Sequence, residues 1–366
     1  MRYIDEYRDP EAVRGLTEAI AATASQTGGE PLRLMEVCGT HTMAIFRFGL
    51  RQILPEDIEL ISGPGCPVCV TSVTEVDRMV ELCGREGVIT ASFGDMLRVP
   101  GTGMSLAQAK ARGGRVEVVY STLEALDLAR KNRDSQVVFM GIGFETTAPT
   151  VAAAVIQADR EGLDNFSVLS CHKVLPPALE ALLSGGRARV HGFLMPGHVS
   201  VMIGARAYAP VAEKYKIPCV VTGFEPTDIL SGILMLLRER AAGSHQVLIQ
   251  YTRGATWEGN TQAMGLLGRV FQPEDSLWRG LGMIPGSGLG LRPEFERFDA
   301  AKVFDLPPSQ ELEAQDPPGC KCGEVLQGLL KPPECGLFAR RCNPENPVGP
   351  CMVSSEGTCA AYYKYR

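Results

Sequence analysis

The chain has 366 residues, with 36 Lys and Arg against 42 Asp and Glu and a formal net charge of −6. This length allows two or three domains, each able to bury a core, and the mildly acidic balance leaves no basic footprint for nucleic acid. Residues Met1 to Asp9 lack the basic-then-apolar pattern of a signal peptide, and no run approaches the roughly 20 apolar residues of a membrane span. No nucleic acid, no membrane and a cytoplasmic location are therefore expected.

A helix opens the chain. Asp9 suits the N-cap and Pro10 the first helical position, and Val13, Leu16 and Ile20 share one face until Thr27-Gly28-Gly29. This segment, residues 1–28, is expected to pack with the C-terminal domain. Apolar, β-branched runs follow at Leu32–Val37, Ile58–Ser62, Val88–Ala91, Val116–Tyr120, Val137–Ile142, Val168–Cys171, Val190–Met195, Cys219–Thr222 and Val247–Gln250. Amphipathic stretches separate them, so the pattern predicts an α/β fold with parallel sheets. Nine strands suggest two similar α/β domains facing a central cleft, at residues 29–125 and 126–245. A short echo supports the duplication: Cys38-Gly39-Thr40-His41-Thr42 and Gly63-Pro64-Gly65 in the first unit answer Gly143-Phe144-Glu145-Thr146-Thr147 and Pro196-Gly197-His198 in the second. Each motif follows a strand, where open parallel sheets bind ligands.

Residues 246–366 form the connection and a smaller, irregular and partly helical third domain. Gly and Pro punctuate it from about Met283 onward, leaving room for short helices near Glu324–Leu330 and at the C-terminus. Half of the 12 cysteines fall here, as Cys320, Cys322, Cys335, Cys342, Cys351 and Cys359, in the pattern C-x-C-x12-C-x6-C-x8-C-x7-C. Few large apolar residues lie between them, and a reducing compartment disfavours structural disulfides. Zinc usually takes two C-x2-4-C knuckles and four ligands, whereas only one close pair occurs here and two thiols would be left over. An iron–sulfur cluster with an adjacent dithiol accounts for all six.

Gly63-Pro64-Gly65-Cys66-Pro67-Val68-Cys69 lies between a strand and a helix whose start carries the capping-box pattern Ser72-Val73-Thr74-Glu75. A C-P-x-C pair there suits dithiol–disulfide cycling or a soft metal, with a thiol pKa lowered by the helix end; the plain alternative is two small buried residues in a tight turn. Cys38 ends its strand beside Gly39 and His41, which suits a thiolate ligand with a base or supporting donor, although a buried cysteine and a backbone-bonded histidine fit equally well. Glu145, Glu225, His172 and His198 also follow strands and are balanced between turn formers and site residues. Cys83 and Cys219 read as core, and Cys171 is open. Gly141-Ile142-Gly143 and Gly286-Ser287-Gly288-Leu289-Gly290 hint at phosphate loops without completing a nucleotide motif.

The CGTHT, GPGCPVC, GFETTAP and PGHVS motifs at Cys38, Gly63, Gly143 and Pro196, with the six-cysteine tail, together resemble the HypD family of [NiFe]-hydrogenase maturation factors. The resemblance spans essentially the whole chain. It implies two α/β domains and a third that carries a [4Fe-4S] cluster. It also implies a maturation scaffold, rather than a conventional turnover enzyme, that builds the Fe(CN)2CO group of the hydrogenase. Its partners would be a HypC-like small chaperone, a HypE-like donor of cyanide and, indirectly, the hydrogenase large subunit. Cys38 would hold the iron, with Cys66 and Cys69 as neighbouring thiols and His41, Glu145 and His198 beside them. The tail further resembles ferredoxin-thioredoxin reductase, which implies Cys320, Cys335, Cys342 and Cys351 as cluster ligands and Cys322 and Cys359 as the nearby dithiol, with Cys320 and Cys322 interchangeable. Without the resemblance, a dithiol oxidoreductase with an iron–sulfur cluster, or a zinc-bearing interaction scaffold, would also fit the residues.

Overall fold

A computed structural model describes residues 4–25, 31–308 and 316–365. Eleven strands occur among them: β1 (Leu32–Glu36), β2 (Ile58–Ser62), β3 (Val88–Ser92), β4 (Val116–Val118), β5 (Gln136–Gly141), β6 (Phe166–Ser170), β7 (Gly192–Pro196), β8 (Cys219–Thr222), β9 (Val247–Ile249), β10 (Phe271–Trp278) and β11 (Gly282–Leu291). The first nine are the runs predicted from periodicity. They form two sheets, in the orders β2-β1-β7-β8-β9 and β4-β3-β5-β6, and every pairing in both is parallel. Strands β3 and β7 are buried along their whole length, as expected of parallel sheets covered on both faces.

The sheets do not follow the sequential division at residue 125. The chain lays down β1 and β2, builds the whole second sheet from β3 to β6, and returns to the first at β7. Met35 pairs with Ile61 of β2 on one side and Phe193 of β7 on the other. The second unit is thus inserted into the first, which strand periodicity, blind to pairing partners, does not reveal.

The first helix runs Pro10–Ala24, with the Asp9 carboxylate accepting from the N–H groups of Glu11 and Ala12. It packs on the helix Pro226–Ala241 rather than on the C-terminal domain. That helix buries Ile229, Leu230, Ile233, Leu234, Leu236 and Leu237. Such a girdle is too wide for one sheet face, and Val13, Leu16, Ile20 and Ala24 join its cluster. An ion pair between Arg8 and Glu225 fixes the approach. The Thr27-Gly28-Gly29 break lies outside the described residues.

The β10–β11 hairpin was not expected, because Pro273, Pro285 and repeated glycines argue against strands. It forms because apolar residues at both ends of the ladder reach the core, on either side of an irregularity between Glu274 and Ser276: Phe271, Ser276 and Trp278 on β10 and Ile284, Leu289 and Leu291 on β11 are buried. Trp278 donates to Ser287 Oγ at 2.8 Å. Gly286 to Gly290 therefore belong to a strand and not to a phosphate loop.

The tail has short helices at Cys322–Leu326, Pro350–Val353 and Thr358–Lys364. The last of these packs on the helix Gly39–Arg47, and Pro350–Val353 packs on the helix Pro67–Val70. The tail thereby covers the C-terminal ends of β1 and β2. Among the described residues no helix is long and apolar enough to cross a membrane.

Candidate functional site

Cys38 follows β1 and caps the helix Gly39–Arg47. Its turn is held from below by Glu36, whose carboxylate accepts from the Cys38 N–H at 3.1 Å and from Thr42 Oγ1 at 2.5 Å. The GPGCPVC loop lies directly against it: a Cβ on Gly65 would come within 2.1 Å of the Cys38 nitrogen, so only glycine fits. The tail closes the other side, since a Cβ on Gly39 would come within 2.5 Å of the Glu356 backbone oxygen. Burial, and after it the Glu356 charge, push the Cys38 thiol up to about 12, although the N–H groups of His41 and Thr40 favour its thiolate.

Cys66 caps the helix Pro67–Val70, accepting from the Cys69 N–H at 3.3 Å, and donates to Ser354 Oγ at 3.4 Å. Both cysteines are buried. The helix end was expected to lower a thiol pKa here; instead burial pushes Cys69 well up. Desolvation outweighs the dipole of a four-residue helix. The Ser72–Glu75 capping box is formed as predicted.

All six tail cysteines line one cavity, with Val325, Leu337, Phe338 and Met352 between them. The Sγ atoms of Cys322 and Cys351 stand 2.7 Å apart. Cys351 also interacts with Cys69 and Cys359, and Cys322 with Cys320. The sulfur of Cys322 thus touches that of Cys351, whereas the resemblance to the reductase implies a dithiol of Cys322 and Cys359. Sequence order could not reveal this, because the helix Pro350–Val353 turns Cys351 toward Cys69. A Cβ on Gly349 would come within 2.7 Å of Cys320 Sγ. Among the described residues no three His, Cys, Asp or Glu side chains converge as a single-ion site. The donor set is a ring of soft thiols with apolar walls, which fits an iron–sulfur cluster.

His41 is fully buried, and its Nε2–H donates to the carbonyl oxygen of Gly223 at 2.9 Å. Nδ1 has no partner, and burial lowers the imidazole to about 4, so the ring is neutral. His198 stacks on Phe224 at 4.0 Å, next to His41 on the same ring. Burial lowers its pKa, opposed by Glu356. Glu145 does not join this group; it caps the helix Leu175–Ser184 by accepting from the Leu175 N–H at 2.9 Å. Glu225 caps the helix Pro226–Ala241 and anchors Arg8. Cys83, Cys171 and Cys219 are buried in the core. His172 faces a separate cavity.

Two residues near Cys38 escaped the sequence reading. Glu36 is signalled only as a carboxylate on a strand otherwise destined for burial. Glu356, in the tail, bonds Thr40 Oγ1 at 2.7 Å and carries no motif. Glu356 also borders an interdomain cavity of about 450 Å³ that Cys66, Phe93, Tyr120, Phe144 and Thr147 line from both sheets.

These features define a class: a two-sheet α/β protein in which buried thiols run from a six-cysteine module to an interdomain cleft. The chain belongs to the HypD family of hydrogenase maturation factors. The family model described as HypD, "Hydrogenase formation hypA family", matches residues 11–366. The hydrogenase maturation factor HypD of Escherichia coli K12 is 48% identical over 100% of this chain and 98% of its own length. Those of Azotobacter vinelandii and Rhodobacter capsulatus are 47% and 46% identical over 100% of this chain and 97% and 98% of theirs. A solved dehydratase, the D-threo-3-hydroxyaspartate dehydratase from Delftia sp. HT23, overlaps 71% of the chain and 65% of its own at a TM-score of 0.13 and 13% identity, too little to bear on the fold.

Proposed function

We propose that this protein is a scaffold for the Fe(CN)2CO group of [NiFe]-hydrogenase, working in the cytoplasm with a HypC-like chaperone and a HypE-like cyanide donor before delivery to the large subunit. Cys38 holds the iron as cargo, and Cys66 and Cys69 are the neighbouring redox thiols. The observation that carries this reading is the run of interacting sulfurs Cys66, Cys69, Cys351, Cys322 and Cys320, which joins the cleft to the tail.

The contact between Cys322 and Cys351 supports reading these two as the dithiol, with Cys320, Cys335, Cys342 and Cys359 as the four ligands of a [4Fe-4S] cluster. When bound, that cluster supplies single electrons. The chain's own part is thiol–disulfide exchange. The Cys351 thiolate attacks Cys69 of an oxidised Cys66–Cys69 pair, and Cys66 leaves as the thiol. Cys322 then resolves the mixed disulfide, freeing Cys69 and leaving Cys322 and Cys351 oxidised. Two electrons and two protons move toward the cleft. Hydrogen bonds among neighbouring thiols, and after them burial, leave the Cys351 and Cys322 thiols well above their usual range, so each attack begins with loss of a proton. At Cys38, the N–H groups of Thr40 and His41 face the sulfur, and iron replaces the thiol proton that burial retains.

The test is infrared spectroscopy of the complex of this chain with its HypC-like partner. Cys38→Ala is expected to abolish the cyanide and carbonyl bands while leaving cluster absorption intact. Unchanged bands would remove Cys38 from the iron's ligands.

A further inference from the structure

A cavity of about 350 Å³ opens at the C-terminal end of β6, between the helix Val73–Cys83, the β10–β11 hairpin and the helix Ala300–Val303. It lies where a parallel sheet usually binds ligands, yet it holds none of the motif cysteines. Most of its charged groups are committed. Lys173, behind the wall, gives its three donors to Glu75, Ser276 Oγ and the Leu277 carbonyl. Lys302 pairs with Glu296 at 2.9 Å. Asp275 accepts from the Gly286 N–H and Asp299 from the Ala301 N–H. Asp305 stands in solvent at the rim.

Three groups remain. Arg78 is 8% exposed, its Nε has no hydrogen-bond partner, and its guanidinium joins no ion pair among the described residues. Glu274 lays its carboxylate over Gly290, where a Cβ would come within 2.3 Å of Oε2. His172 is 1% exposed, and its Nε2 has no partner. Its tautomer follows from Ser170. Ser170 Oγ donates to the Leu289 carbonyl at 2.6 Å, so it accepts at 3.0 Å from Nδ1–H of His172. Nε2 is therefore a buried, unused lone pair.

A buried cation and a carboxylate that feel each other's charge without a direct bond, and an unused acceptor, around one cavity do not suit an ion of either sign. The acidic wall of Glu75, Glu274, Asp299 and Asp305 repels a phosphate, and the Arg78 guanidinium repels a metal ion. We propose that this cavity binds a small zwitterion of the α-amino acid class, its carboxylate on Arg78 and its ammonium against Glu274 and Nε2 of His172. Arg78 Nε and His172 Nε2, buried and without partners, cost stability until a ligand supplies them. The inference does not rest on the hydrogenase reading and stands or falls separately.

The test is isothermal titration of the full chain with each of the twenty L-α-amino acids, followed for any binder by its decarboxylated amine and its deaminated acid. At least one amino acid is expected to bind, with each one-ended analogue at least about tenfold weaker. Arg78→Met and Glu274→Gln should each weaken binding by about tenfold or more. Glu274→Gln, on the outer strand surface, decides the matter if Arg78→Met does not fold by circular dichroism. Failure of all twenty to bind, an analogue that binds as tightly as its parent, or affinity unchanged in the folded variants would overturn the proposal.

Discussion

Thr40 Oγ1 donates a 2.7 Å hydrogen bond to Glu356 Oε1, joining the turn after β1 to the C-terminal tail across 316 positions of sequence. The same glutamate raises the Cys38 pKa, second only to burial. Glu356→Gln keeps the hydrogen bond and removes the charge. Cys38 should then ionise at lower pH and react faster with iodoacetamide near pH 8, read by mass spectrometry of the alkylated peptide. An unchanged rate would mean that Glu356 does not control this thiol.

Gly39→Ala places a methyl group where the Glu356 backbone already stands. The tail must move, at a cost of about 1–3 kcal/mol. Hydrogen exchange across residues 350–365 should quicken in this variant more than in the first sheet.

Glu145 is buried with one carboxylate oxygen unpartnered, and burial raises its pKa from 4.5 to about 7. A raised folded-state value means that its contribution is fully present below the unfolded pKa and is lost as pH rises through about 7. Glu145→Gln should flatten the stability profile between those limits by roughly 3 kcal/mol. Urea unfolding at acid and neutral pH measures this, and an unaltered slope would contradict it.

Lys173 and Glu75 form an ion pair at 2.6 Å with side chains 0% and 5% exposed. Because Glu75 also caps the helix that follows Cys69, the pair fastens the thiol loop to the hairpin. Lys173→Met leaves a buried carboxylate uncompensated and should cost about 3–5 kcal/mol. The double variant with Glu75→Gln should lose less than the sum of the two single changes.

Much of this was legible in the chain itself. All nine parallel strands announced themselves as apolar, β-branched runs, and Asp9 with Pro10 and Ser72 with Glu75 marked helix starts that the structure contains. Pairing was not legible, because a buried parallel strand looks alike whichever neighbour it takes; hence the insertion of the second sheet went unseen. The hairpin was hidden by its own glycines, two of which, Gly288 and Gly290, make room for Ser276 and Glu274 across the pair. At the site, the motif cysteines stood out by spacing. Glu36 and Glu356 did not, because a carboxylate reveals its role only through what it touches. The sulfur contact between Cys322 and Cys351 was hidden for the same reason: they lie 29 positions apart in sequence.

The most direct test compares Cys351→Ser with Cys359→Ser after anaerobic purification, by visible absorption with iron and sulfide analysis. Cys359→Ser is expected to lose the cluster, whereas Cys351→Ser keeps it and no longer passes electrons from the cluster to an oxidised Cys66–Cys69 pair. A cluster lost with Cys351 and kept without Cys359 would contradict the assignment of Cys322 and Cys351 as the path from tail to cleft.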